Sequence, residues 1–325
     1  MDERLKALQQ ALDRSLSELI PSTAEPTGLY DPMRYILGIG GKRLRPLLTL
    51  MVLKAAGKDP QLGWSAAMGI EVFHNFSLVH DDIMDAAPLR RGKETVHEKW
   101  DVNTGILSGD ALLVKAYQLM ADVPKDKVAP ILEVFSETAL QVCEGQQWDV
   151  EFEQRESVRE EDYIRMIQYK TSVLLGCALK VGAILSDLPE NHQKALYSFG
   201  LEMGTSFQIA DDLLDAFGDP EKFGKKVGGD ILENKKTLLF IAAERLGSDD
   251  QKRSLRQWYS INGDVSGKVD AVKEIFESTG ARRYVEDQKR SYYESAISNL
   301  TSLDNVLVAT DLFEDFARYL YERDH

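Results

Sequence analysis

Twice, the chain sets three carboxylates into an otherwise apolar stretch of helical period. "SLVHDDIMD" at 77–85 carries Asp81, Asp82 and Asp85, and "FQIADDLLD" at 207–215 carries Asp211, Asp212 and Asp215. The spacing D-D-x-x-D puts the first and last aspartate of each set one helical turn apart on the same face. Carried backwards, the first stripe adds Ser77 and His74, and the second adds Gln208 and Gly204. Each helix therefore has a polar seam running through apolar surroundings. Buried carboxylates are strongly unfavourable unless paired or metal-bound. If the two seams face one another across a bundle, the carboxylates converge and require cations. All-oxygen ligands favour a hard ion such as Mg²⁺, which binds through one or two carboxylates plus substrate phosphates.

Most of the remaining chain also reads with helical period. Leu5, Leu8, Leu12, Leu16 and Leu19 recur at steps of three and four, and segments near 61–86, 103–121, 126–152, 160–185, 190–217, 235–246, 265–279 and 281–301 are rich in Ala, Leu, Glu, Lys and Met. Turn signals fall between them: "PSTAEPTG", "AGKDP", "DVPKDK", "SDLPE", "GDPEKFG" and "INGDVSG". No Gly/Ser linker, composition shift or fixed-period repeat divides the 325 residues. The expectation is an all-α fold, one domain over 1–325, built as a helical bundle of about a dozen helices.

The net charge of −14 argues against nucleic-acid partners. The start, "MDERLKALQQALDRSL", lacks the apolar core of a secretory signal, and the apolar run "SVLLGCALKVGAIL" is too short to span a bilayer. Two cysteines, Cys143 and Cys177, fit a reducing compartment, so a cytoplasmic location is expected.

Against the acidic total, basic residues gather at three places. "GIGGKRLRPLL" at 38–48 puts Lys42, Arg43 and Arg45 behind paired glycines, where backbone can approach a phosphate. "LRRGKE" supplies Arg90, Arg91 and Lys93 just after the first aspartate set, and "FGKKVGGDILENKKT" at 223–237 supplies Lys225, Lys226, Lys235 and Lys236 just after the second. Arginine forks match phosphate oxygens, and lysines act as mobile point charges. The pattern suggests two anionic groups, one bridged to metal and one held by arginine and lysine.

In this ordered set the chain resembles the trans-isoprenyl diphosphate synthases, the polyprenyl synthetases. The resemblance is carried by G-G-K-R-L-R-P at 40–46, E-V-F-H-N-F-S-L-V-H-D-D-I-M-D at 71–85, R-R-G-K at 90–93, S-G-D-A-L-L at 108–113, K-T at 170–171, F-Q-I-A-D-D-L-L-D at 207–215 and G-K-K-V-G-G-D at 224–230. It implies an all-α bundle around a deep cavity, usually a homodimer. The implied reaction is a Mg²⁺-dependent condensation of isopentenyl diphosphate with an allylic diphosphate (dimethylallyl, geranyl or farnesyl). By the same resemblance Asp81, Asp85 and Asp211 are the principal metal ligands, supported by Asp82 and Asp215. Arg90, Lys170, Thr171, Gln208, Lys225 and Lys235 match positions that hold the allylic diphosphate. Lys42, Arg45, His74 and Arg91 match the isopentenyl diphosphate site. Family members limit product length with bulky residues just upstream of the first aspartates, at positions where this chain has the aromatic Phe76 and the small Ser77. Phe76 lies about 7.5 Å along the helix axis from Asp81, and geranylgeranyl diphosphate is the expected product, with farnesyl diphosphate next. A class I terpene cyclase is the competing reading, but it would carry an Asn/Asp-Ser/Thr-Glu motif in place of D-D-L-L-D and needs no G-G-K-R-L-R-P segment.

Overall fold

The computed structural model describes residues 3–218, 227–263, 265–303, 307 and 309–322. The chain divides into two compact units, one of Met1–Glu137, Cys177–Leu196 and Leu303–Leu312, the other of Thr138–Gly176, Tyr197–Ser302 and Phe313–His325. The fold is all-α, and among the described residues the only strands are a two-residue pair.

In the first unit, helices α1 (Glu3–Glu18), α2 (Thr27–Gly38), α3 (Leu44–Ala55) and α4 (Trp64–Met84) precede a hairpin of β1 (Leu89–Arg90) and β2 (Lys93–Glu94). Short α5 (Val96–Lys99), α6 (Val102–Ala121) and the first part of α7 (Lys125–Gln154) follow. The leucine step of α1 buries Leu12 and Leu16, and α4 packs against α2, α3 and α6. Helix α3 was not expected from periodicity. Its run "LRPLLTLMVLKA" is apolar on every side, and every residue from Pro46 to Leu53 is buried. Such a helix belongs in a core and shows no stripe for a period to detect. It starts inside the segment read as a phosphate loop, so that loop is confined to residues before Leu44.

The second unit holds the rest of α7, then α8 (Glu160–Ile167), a π-helical turn at Gln168–Ser172 and the start of α9 (Val173–Leu185). Most of α10 (Glu190–Phe217) follows, with α11 (Gly229–Leu232), α12 (Leu238–Leu246), α13 (Asp249–Tyr259), α14 (Lys268–Ser278), α15 (Ala281–Leu300) and most of α16 (Asp311–Tyr321). Its core gathers Met166, Ile209, Leu238, Val272, Phe276 and Val285. Helix α13 begins with a capping box in which Ser248 and Gln251 satisfy each other's backbone N–H. No described helix is long and apolar enough to cross a membrane.

Candidate active site

Helix α4 stops at Met84, so Asp81 and Asp82 occupy its last turn and Asp85 caps it, the Asp85 N–H donating to the Asp81 carbonyl at 2.9 Å. Carboxylates at a helix C-terminus meet the negative end of its dipole, which sharpens the need for cations. Arg90 meets part of it. Its Nε lies 2.8 and 2.9 Å from the two oxygens of Asp82, and its Nη2 lies 2.7 Å from Asp82 Oδ1 and 3.6 Å from Asp81 Oδ2. Asp82 is only 1% exposed; burial raises its pKa, and the Arg90 contact works the other way.

Arg90 and Arg91 are sent in different directions by the hairpin. Arg91 and Gly92 both have positive φ, 53° and 75°, as a two-residue type I′ turn requires. While Arg90 turns to the aspartates, Arg91 Nη1 donates to the Gly40 carbonyl. Gly40 and Gly41 have φ of 90° and 154°. A Cβ on Gly41 would lie 2.6 Å from Arg91 Nη1, so the paired glycines both shape this loop and admit the guanidinium. Beyond them Lys42 is exposed, and Arg45 Nη1 stands 3.2 Å from His74 Nε2. A guanidinium can only donate, so Nε2 accepts and the His74 proton sits on Nδ1. Burial, then the charges of Arg45, Arg91 and Arg90, hold the His74 pKa well below its usual value. Lys42, Arg45, Arg91 and neutral His74 gather around the glycine loop as a cationic station.

Between His74 and the aspartates on α4, Phe76 is 8% exposed. Its ring centre lies 4.9 Å from that of His80 and 5.4 Å from that of Phe73, and the stack continues through Phe135 to Tyr117. Ser77 donates its hydroxyl to the His74 carbonyl at 2.9 Å. His80 bonds the Ile106 carbonyl at 3.1 Å, away from the aspartate seam.

In the second unit, α10 carries Gln208, Asp211, Asp212 and Asp215. Lys170 and Thr171 come from the π-helical turn, a wider coil that often marks functional positions. Two glycines make room for it. A Cβ on Gly145 of α7 would lie 2.3 Å from the Lys170 backbone nitrogen, and one on Gly204 of α10 would lie 2.7 Å from Ser172 Cα. The turn's side chains join a relay: Thr171 Oγ1 donates to Gln208 Oε1 at 3.2 Å, and Gln208 Nε2 lies 3.4 Å from Asp212 Oδ1. The Tyr163 hydroxyl donates to the other oxygen of Asp212. Lys170 Nζ pairs with Asp149 Oδ2 at 2.5 Å.

Asp149, Tyr163, Lys170, Thr171, Gln208 and Asp212 line a cavity of about 130 Å³ with Asp230 and Lys235, and Asp211 and Asp215 are not among its lining. Asp230 donates its N–H to Asp215 Oδ2 at 2.9 Å, and Lys235 Nζ lies 3.8 Å from Asp230 Oδ1 and 3.0 Å from Glu233 Oε2. Burial and then Asp215 push the Asp230 carboxyl up to about 7. Burial and then Asp230 push Asp212 well above the carboxylate range, against the hydrogen bonds from Tyr163 and Gln208. Burial opposes the Lys235 charge, yet Asp230 and Glu233 more than offset it and raise its pKa. Among the described residues, burial and mutual repulsion outweigh the nearby cations at Asp212 and Asp230. Their all-oxygen chemistry fits a hard divalent ion. Lys225 lies outside the described residues.

Residues 26–278 match the profile of the family described as polyprenyl synthetase. The chain belongs to the polyprenyl synthetase family. It is a prenyltransferase. Over its whole length it is 38% identical to the geranylgeranyl pyrophosphate synthase of Geoglobus acetivorans, covering 100% of both chains. It is 34% identical to the geranylfarnesyl diphosphate synthase of Natronomonas pharaonis, over 98% of this chain and 96% of that one. A crystal structure of a geranylgeranyl pyrophosphate synthase superposes with a TM-score of 0.91 at 48% identity, covering 99% of both chains.

Asp149, Tyr163 and Asp230 are among the side chains of this prenyltransferase's cavity that were not singled out from sequence. Asp149 sits in the acid-rich end of α7, where nothing in the spacing marks one carboxylate among several. Tyr163 reads as an ordinary buried position of amphipathic α8. Asp230 ends the quoted G-K-K-V-G-G-D, and its place four residues after a basic pair was the one available signal.

Proposed function

We propose that the chain catalyses head-to-tail condensation of isopentenyl diphosphate with an allylic diphosphate, giving a short all-trans prenyl diphosphate, geranylgeranyl diphosphate. The observation that carries this reading is the parting of Arg90 and Arg91. One arginine joins the aspartates of α4; the other joins Lys42, Arg45 and His74 at the glycine loop. Two anion stations, one rich in carboxylates and metal-suited and one rich in arginine and lysine, suit two diphosphates held at once. A cyclase, which takes a single diphosphate, has no use for the second.

Asp81, Asp85 and Asp211, with Asp82 and Asp215, would hold Mg²⁺. Bound there, the ion supplies Lewis-acid stabilisation of charge on the departing diphosphate. Arg90, Lys170, Thr171, Gln208, Lys225 and Lys235 hold the allylic diphosphate and stabilise the same charge electrostatically. The allylic C–O bond breaks with its electron pair leaving on diphosphate. The isopentenyl double bond supplies the electrons of the new C–C bond, and the resulting cation loses a proton to the released diphosphate. His74, held neutral beside Arg45, accepts from that guanidinium and orients it toward the isopentenyl diphosphate. Phe76, braced by His80 and Phe73, limits further elongation of the product. Relatives of similar identity carry product names of different length, and this ring is the feature that favours the shorter one.

The whole chain is read as a single catalytic domain, supported by its full-length coverage of the relatives. A cytoplasmic homodimer completes the reading, supported by two cysteines outside any disulfide and by Ile106, Leu107 and Val114 exposed on α6. Incubation of the protein with Mg²⁺, labelled isopentenyl diphosphate and dimethylallyl diphosphate tests the activity. Label moving into an acid-labile prenyl product supports condensation; unconsumed isopentenyl diphosphate beside a hydrocarbon product would establish the cyclase instead.

A further inference from the structure

Gln9 and Asp13 lie on α1, ahead of the segment matched by the family profile, and neither belongs to a motif of the reaction. Both reach the glycine loop. Gln9 Nε2 donates to the Lys42 carbonyl at 3.0 Å, and Asp13 Oδ1 accepts from Arg43 Nε at 2.8 Å. Four residues apart, they present one helix face to it.

Arg43 stands between Lys42 and Arg45 and is 3% exposed. Its φ is 49°, a left-handed conformation that a long side chain adopts only where its surroundings enforce it. The enforcement is visible at each nitrogen. Beyond the Asp13 contact, Nη1 donates to Glu71 Oε1 of α4 at 2.6 Å, and Nη2 donates to the Leu37 carbonyl near the end of α2 at 2.8 Å. One planar guanidinium bound to three helices cannot rotate or shift without breaking a bond. The turn that projects Lys42 and Arg45 is fixed with it.

We infer that α1 is a positioning element for the isopentenyl diphosphate station, acting through Asp13 on Arg43 and through Gln9 on the Lys42 backbone. The inference rests on the proposed assignment of Lys42 and Arg45 to that substrate. Glu71 already supplies a buried countercharge for Arg43, so Asp13 adds orientation: it alone holds Nε and fixes the plane of the fork. Helix α1 is anchored separately by buried Leu12 and Leu16, and loss of the Asp13 charge leaves that anchor in place. Replacing Arg43 would strand the buried Glu71 carboxylate and threaten folding, so the test falls on α1.

The test is steady-state kinetics of the full chain, varying each substrate at saturating levels of the other. The variants are Asp13→Asn, Gln9→Ala, Asp13→Glu and, as a marker of the site itself, Arg45→Ala. Asp13→Asn and Gln9→Ala together are expected to raise KM for isopentenyl diphosphate by about 5- to 30-fold. KM for the allylic substrate and the melting temperature stay put, and Asp13→Glu recovers most of the loss. If Arg45→Ala raises the isopentenyl KM and the α1 variants do not, the positioning role is wrong and the site assignment stands. If Arg45→Ala leaves that KM unchanged, the site assignment falls and the inference falls with it. Parallel rises in both KM values with a lower melting temperature would reduce α1 to a structural support and overturn the inference.

Discussion

Replacing Arg90 by Met removes the cation bound to Asp82, a carboxylate 1% exposed at the end of α4. Breaking a fully buried ion pair from one side costs about 3–5 kcal/mol, because the remaining charge stays buried without a counterion. Arg90 is itself 24% exposed, so water reaches part of the pair and the lower end, about 3 kcal/mol, is expected. Near the melting point that corresponds to a drop of roughly 6–12 °C for a unit of this size. Adding Asp82→Asn removes the stranded charge, and the double variant is expected to recover part of the loss. Thermal and urea unfolding followed by circular dichroism, on all four corners of the cycle, reads both effects. A loss below about 1 kcal/mol in Arg90→Met, the range of exposed pairs, would show that Asp82 is solvated and that Arg90 does not neutralise it.

Asp81→Ala and Asp211→Ala are each expected to lower kcat by orders of magnitude with helicity intact; near-normal Mg²⁺-dependent turnover in either would remove that residue from the metal site. Phe76→Ala is expected to lengthen the prenyl product, and an unchanged chain length by chromatography would dismiss the ring as a floor. His74 has a folded pKa below its unfolded value near 6.5, so below that pH the unfolded chain takes up a proton that the folded chain refuses. Its contribution to stability is present above about pH 6.5 and is lost as pH falls toward the folded pKa, by at most about 1.4 kcal/mol per pH unit. Urea midpoints between pH 7 and 5 should therefore fall less steeply in His74→Gln than in the parent, and equal slopes would mean that His74 titrates as an exposed histidine.

The aspartate helices and their neighbours were legible because each combined an amphipathic period with a spacing that helix geometry converts directly into a shared face. Helices α4, α6, α10 and α15 lie within a few residues of the expected limits. Helix α3 escaped because a segment buried on all sides has no period, and α2 because Pro26 and Pro32 frame it as a turn. The parting of Arg90 and Arg91 needed the hairpin, whose Arg91–Gly92 turn lacks the Asn-Gly or Asp-Gly signature of its type. Asp149, Tyr163 and Asp230 enter the cavity through tertiary packing around the π-helical turn, which no local pattern announces. The same holds for the reach of α1 to Arg43, a contact across 30 residues of chain.

Mass spectrometry of the prenyl diphosphate formed from dimethylallyl diphosphate, excess isopentenyl diphosphate and Mg²⁺ bears on the whole account at once. Three successive condensations ending at geranylgeranyl diphosphate, abolished by chelation and restored by added Mg²⁺, are the expected result. Isopentenyl diphosphate left unconsumed under those conditions would contradict it.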